Sequence, residues 1–216
     1  MNIDVLIQKL KDATKNFTPT LVDSIIKEYG KDPFLVLISC LLSLRAKDSS
    51  TIIICRNLFK IAKTPQQILK IPLSKLEKII FKSGFYKNKA KSILHVCSVL
   101  IEKYNGKVPK TSEELLSIKG IGPKTANLIL GQAFRIPAIC VDTHVHRISN
   151  RLGLVKTKTP EQTLEALEKV LPKKYWTHWN NLLVQWGQNV CTPTSPFCST
   201  CKISKYCKKI GVTKHR

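Results

Sequence analysis

Acidic residues are scarce in this chain of 216 residues, where 14 Asp and Glu stand against 36 Lys and Arg. The formal charge of +22 and a pI near 9.8 point to a polyanionic partner, most simply nucleic acid. Thirty of the 36 basic residues are Lys, so a source-wide compositional bias is the competing explanation. No apolar run approaches the roughly 20 residues of a membrane span, which excludes a transmembrane helix and a membrane partner. The opening MNIDVLIQKLKDATK has no long uncharged apolar core and carries acidic residues early, unlike a signal or transit peptide. The expectation is an intracellular, cytoplasmic protein. Low-complexity linkers, obvious repeats and strand signals are also missing, which leaves helices as the building material.

Those helices are visible in the spacing of apolar residues at three and four, with caps between the runs. The expected class is all-α, and 43% hydrophobic content supports a core without disulfide staples. Ala90, Ile93, Leu94, Cys97, Leu100, Ile101 and Tyr104 form one helix face that stops before Asn105-Gly106. Ala126, Ile129, Leu130, Ala133 and Phe134 form another. FLVLISCLLSL, Phe34 to Leu44, is apolar on nearly every side, as a central helix enclosed by others would be. Capping boxes are expected at Thr64 with Gln67, Ser74 with Glu77, Thr111 with Glu114 and Thr159 with Gln162.

In SIKGIGPKTANLIL, Ser117 to Leu130, two glycines and a proline interrupt an apolar helical pattern, and Lys124 follows at once. Gly120 permits a tight reversal, and Pro123 suits the first turn of the next helix. Unpaired backbone N–H groups near Gly120 to Lys124 would then make a cradle for phosphate, and glycines let a nucleic-acid backbone come close. The combination resembles the helix-hairpin-helix DNA-binding element; a plain helical corner is the alternative.

Of eight cysteines, Cys40, Cys55, Cys97 and Cys140 lie in apolar stretches, where a buried reduced thiol is expected. Cys191, Cys198, Cys201 and Cys207 crowd together as C-x6-C-x2-C-x5-C. In a reduced setting such a cluster points to metal. Four thiolates suit either tetrahedral zinc or an iron–sulfur cluster, and the spacing alone does not choose.

Taken in order, the hairpin at Gly120 to Lys124, the stretch VDTHVHRISNRLG from Val141, and the cysteine spacing resemble the endonuclease III family of base-excision DNA glycosylases. The resemblance extends upstream to LISCLLSLRAKD and SGFYKNKAKSI, and so covers nearly the whole chain. It implies a six-helix barrel over residues 26–136, with the helix-hairpin-helix motif at about 113–134. A second helical domain would comprise residues 1–25 and 137–216, with a [4Fe–4S] cluster on Cys191, Cys198, Cys201 and Cys207. It further implies a monomer, nucleoid-associated, acting on double-stranded DNA that contains damaged bases or abasic sites. Lys124 stands at the position of the family's nucleophile and Asp142 at that of its catalytic carboxylate. Gly120, Gly122, Arg45, Lys119, Thr143 and His144 are the expected DNA contacts, and His146 is expected to be structural or to touch phosphate.

The chemistry has its own rationale. Removing a base breaks the bond at C1′ of a nucleotide flipped out of the stack. A neutral amine can attack C1′ and form a Schiff base, which acidifies the C2′ proton and leads to β-elimination. The start of a helix disfavours an ammonium, and a carboxylate stabilises positive charge on the sugar or accepts a proton. A helix from Lys124 to Phe134 runs roughly 15 Å, and the next eight residues span up to about 26 Å, so the chain can return Asp142 to that helix start. On local pattern alone, Asp142 is a helix N-cap. Two features depart from the family: Arg45 stands where many members have Gln, and TPTSPF between the first two clustered cysteines has no basic residue, so that either Lys202, Lys205, Lys208 and Lys209 take over its phosphate contact or the cluster domain contributes less to binding. The activity expected is excision of oxidised or damaged pyrimidines with cleavage 3′ to the abasic site. Excision of mismatched or alkylated bases, and a non-catalytic DNA-binding module, are the alternatives.

Overall fold

The computed structural model describes residues 2–216. Among the described residues there are helices and no strand. In chain order the helices are α1 (Ile3–Thr14), α2 (Leu21–Tyr29), α3 (Pro33–Ser43), α4 (Asp48–Ile61), α5 (Pro65–Leu69), α6 (Leu73–Ile79), α7 (Tyr86–Tyr104), α8 (Ser112–Ser117), α9 (Pro123–Gln132), α10 (Thr143–Leu152), α11 (Pro160–Val170) and α12 (Trp176–Asn189). The chain divides into two compact units, one of Thr20–Ile136 and one of Met1–Pro19 with Pro137–Arg216. The division falls earlier than residue 26 because α2 packs on α3 and α4.

The inner unit is organised about α3. Asp32 caps it by accepting from the N–H groups of Phe34 and Leu35 at 2.8 and 3.1 Å, and Pro33 occupies its first turn. Every residue from Phe34 to Leu42 is buried, because α2, α4, α7 and α9 pack around it. Helix α7 ends as its sequence requires: Asn105 adopts a left-handed conformation, and the Gly106 N–H donates to the Leu100 carbonyl at 2.8 Å.

Thr64, Thr111 and Thr159 cap α5, α8 and α11 as expected. The box at Ser74 does not form. Helix α6 starts two residues earlier, with Pro72 as N-cap and its carbonyl accepting from both Lys75 and Leu76 at 2.9 Å. The fixed φ of Pro72 and its free carbonyl start the helix, which places Ser74 inside the first turn.

The other unit packs α1, α10 and α12 around Leu6, Leu10, Val145, Ile148, Trp179 and Trp186. Phe17 stacks on Trp186 with ring centroids 6.2 Å apart, which seats the segment after α1 on this core. Trp179 satisfies its indole N–H through the Ser149 hydroxyl at 3.3 Å. No helix among the described residues is long and apolar enough to cross a membrane.

Candidate functional site

Within the inner unit, α8 and α9 form the hairpin, with the Ile121 N–H donating to the Ile118 carbonyl at 3.0 Å across the turn. Its two glycines have different reasons. Gly120 has φ +104°, and a Cβ there would stand 2.7 Å from the Ser92 hydroxyl, so the fold itself demands glycine. Gly122 has φ −97°, and a Cβ there would meet nothing within 4 Å. Nothing inside the protein requires glycine at 122, whereas a partner's backbone pressed against this turn would. Gly122 is also the N-cap of α9 and offers no side chain to cap it. Lys119 and Lys124 are exposed on either side.

Lys124 lies in the electrostatic neighbourhood of Cys40 on α3, whose thiol is pushed up to about 12 by burial against the smaller opposing pull of the ammonium. Burial likewise pushes Cys55 and Cys97 up to about 12, so these thiols are inert core residues. Cys140 is buried too.

The same unit carries a pair that sequence pattern did not reveal. Arg45 and Phe85 both have left-handed backbones, with φ 55° and 59°, an uncommon conformation for residues with side chains. The guanidinium carbon of Arg45 lies 5.8 Å from the centroid of the Phe85 ring. Phe85 is 62% exposed, an unusual fate for so large an apolar ring. Behind them, Lys89 is 7% exposed and donates to the Leu42 carbonyl at 2.7 Å and the Ser83 hydroxyl at 2.6 Å. It thereby joins the end of α3, which leads to Arg45, to the loop that leads to Phe85.

In the other unit, Asp142 caps α10: its Oδ1 accepts from the N–H groups of His144 and Val145, both at 2.9 Å. The cap fixes the carboxylate's direction at a helix N-terminus, where negative charge is favoured. Thr143 is exposed at the first position of α10. His144 is half-buried and accepts from Arg147 Nη2 at Nδ1, 3.1 Å away, which leaves the ring proton on Nε2. Gly187 makes room for this pair, since a Cβ there would lie 2.2 Å from His144 Nδ1. His146 meets the Thr163 hydroxyl at 2.6 Å, and Asn150 joins the same network through Thr157.

Cys191, Cys198, Cys201 and Cys207 line one pocket. Among the described residues, no three His, Cys, Asp or Glu side chains converge closely enough to hold a single metal ion. Two arginines a turn apart on α10 hold the backbone at Cys191 and Thr192, and Arg151 also lines the pocket. Arg147 donates to the Cys191 carbonyl at 2.9 Å, and Arg151 donates to the Cys191 sulfur at 3.4 Å and to the Thr192 carbonyl at 2.7 Å. Arg147 Nε is buried with no hydrogen-bond partner, and burial lowers the guanidinium's pKa. Burial, aided by the neighbouring thiols, raises the Cys201 and Cys207 thiols. A guanidinium on the Cys191 sulfur suits a thiolate there.

The family model for HhH-GPD superfamily base excision DNA repair proteins matches residues 38–173. The chain belongs to that superfamily. Endonuclease III of Thermotoga maritima is 45% identical over 193 residues, which cover 87% of this chain and 91% of that one. Among solved structures, a non-covalent endonuclease III–DNA complex matches with TM-score 0.84 and 33% identity, covering 96% of this chain and 94% of that one. A trapped endonuclease III–DNA covalent intermediate, an estranged-adenine complex, matches with TM-score 0.80 and 32% identity over 97% of both chains. The HhH-GPD match takes in the hairpin, Lys124 and Asp142, while the four clustered cysteines lie beyond it.

Proposed function

We propose that the protein is a bifunctional DNA glycosylase and abasic-site lyase that excises oxidised or damaged pyrimidines from duplex DNA. The observation that carries this reading is Lys124, exposed in the first turn of α9, which opens after a glycine where a Cβ would meet nothing within the protein. A nucleic-acid backbone held by the hairpin presents a flipped nucleotide's C1′ to that helix start. The amine's lone pair forms the C1′–N bond, and the base leaves with the electrons of the glycosidic bond. The amine then loses its proton and the C1′–O4′ bond breaks, which opens the sugar ring to a Schiff base; the C2′ proton becomes acidic, and its loss expels the 3′ phosphate by β-elimination. Asp142 is the proposed carboxylate, stabilising positive charge on the sugar or taking the lysine's proton, with its direction set by the α10 cap.

Arg45 and Phe85 are the proposed wedge, stacking into the space left by the flipped base. The arginine at this position also offers donors to a guanine edge, and so bears on the choice of opposite base. Cys191, Cys198, Cys201 and Cys207 are the proposed ligands of a [4Fe–4S] cluster, a reading supported by four soft sulfur donors lining one pocket, with the Arg151 guanidinium on the Cys191 sulfur. When bound, this group supplies no bond-making step; it ties four chain positions together and adds its binding energy to folding.

A panel of duplexes bearing oxidised pyrimidines, mismatches, alkylated bases and abasic sites tests the assignment. Base release and strand incision at oxidised pyrimidines, with incision at abasic sites, is the expected pattern. Binding without incision at any of them would contradict it.

A further inference from the structure

The 48 residues after Glu168 contain nine Lys and Arg and no Asp or Glu. Within this acid-free stretch, the loop Thr192–Phe197 has no charge of its own. It does not stay uncharged in the fold. The segment after Cys207 runs back across the pocket rim, with the Ile210 N–H donating to the Arg151 carbonyl at 3.1 Å, and reaches that loop at Arg216. There the Arg216 N–H donates to the Pro196 carbonyl at 2.8 Å, and the Arg216 carbonyl accepts from Ser199 at 2.9 Å. The side chain is held as firmly. Its Nε and Nη2 donate to the Ser195 carbonyl at 3.2 and 3.0 Å, and its guanidinium carbon lies 3.9 Å from the centroid of the Phe197 ring.

This arrangement occupies one edge of the guanidinium and one face. The other edge, formed by Nη1 and the second proton of Nη2, remains available on an exposed residue. Two parallel N–H donors in that fork match two oxygens of a phosphate. An arginine already fixed by stacking and by a carbonyl loses little further side-chain freedom when it binds. A latch needing only to hold the loop would be complete without a cation, since the two backbone bonds at Arg216 already make that attachment.

We propose that Arg216, folded back onto the uncharged loop between Cys191 and Cys198, is a phosphate-binding residue for the backbone of duplex DNA. It gives the loop the positive charge that the loop's own sequence lacks. Phe197 and the Ser195 carbonyl set the direction of its free edge. The inference rests on the DNA-repair function proposed above.

The test uses the full-length, cluster-loaded protein and an undamaged duplex and a lesion-bearing duplex of the same length, titrated over a range of salt concentrations. Each phosphate contact contributes about 0.9 to the slope of log K against log salt on B-DNA. Arg216→Ala should lower that slope by about one and weaken both duplexes equally, with iron content unchanged. An unchanged slope overturns the proposal. Should Arg216→Ala lose iron, Arg216→Lys carries the test, because it keeps a cation but not the fork. The expected result is then a preserved slope with weaker binding at every salt concentration, and wild-type affinity overturns the claim. Wild-type protein with no salt-dependent DNA binding would instead defeat the proposed function itself.

Discussion

Lys89 Nζ donates to the carbonyl oxygen of Leu42 at 2.7 Å, across the junction of two helices, with no carboxylate partner among the described residues. Burial lowers the pKa of this ammonium. In the unfolded chain the group returns to its ordinary value near 10.5. Between the folded and unfolded pKa values the unfolded state therefore binds more protons, and stability rises with pH through that interval. Below it the penalty of the buried charge is constant. Urea midpoints of the wild type and Lys89→Met, measured from pH 7 to pH 10 in parallel, should diverge in favour of the wild type as pH rises. Parallel curves would show that Lys89 is not desolvated.

The same lysine ties the end of α3, which leads to Arg45, to the loop before Phe85. Arg45→Ala and Phe85→Ala should each reduce retention of lesion-bearing duplex more than that of undamaged duplex, because only a flipped nucleotide leaves a space to fill. Equal losses on the two duplexes would assign both residues to ordinary surface contact.

The two hairpin glycines should separate stability from binding. Gly120→Ala places a Cβ at a positive φ and against Ser92, and is expected to destabilise the fold by at least about 1–2 kcal/mol. Gly122→Ala should leave the melting temperature nearly unchanged and weaken DNA binding. A destabilised Gly122→Ala protein with normal binding would remove the case for a close-approaching partner.

How much of this was legible in the sequence depends on the range of the interaction that fixes each feature. The buried helix α3, the threonine caps and the end of α7 at Asn105 are local, and the pattern of apolar and capping residues exposes them. Ser74 failed as a cap because a competing local signal, Pro72, acted two residues earlier. Asp142 shows both sides: its capping role is written in its neighbours, whereas its proposed catalytic role came only through resemblance. The left-handed Arg45 and Phe85, the Lys89 junction and the return of Arg216 to the 192–197 loop depend on residues far apart in the chain. No periodicity reports them. The missing charge in TPTSPF was visible, but the residue that supplies it was not.

The cysteine pocket gives a prediction independent of DNA. Protein purified without oxidant should be brown, with about four irons per chain. Cys198→Ser should loosen the segment around the pocket, seen as faster proteolysis there, before it alters chemistry. A colourless, folded protein with one zinc would contradict the cluster assignment.

The most direct measurement is borohydride trapping on lesion-bearing duplex DNA, comparing wild type, Lys124→Gln and Asp142→Asn. Asn can still cap α10, so the second variant removes the charge while keeping the helix start. Wild type should form a covalent protein–DNA adduct through the reduced Schiff base. Asp142→Asn should bind but release base far more slowly, with some lyase activity left on a preformed abasic site. Lys124→Gln should bind DNA and give no adduct; undiminished trapping by that variant would place the nucleophile elsewhere and contradict the account at its centre.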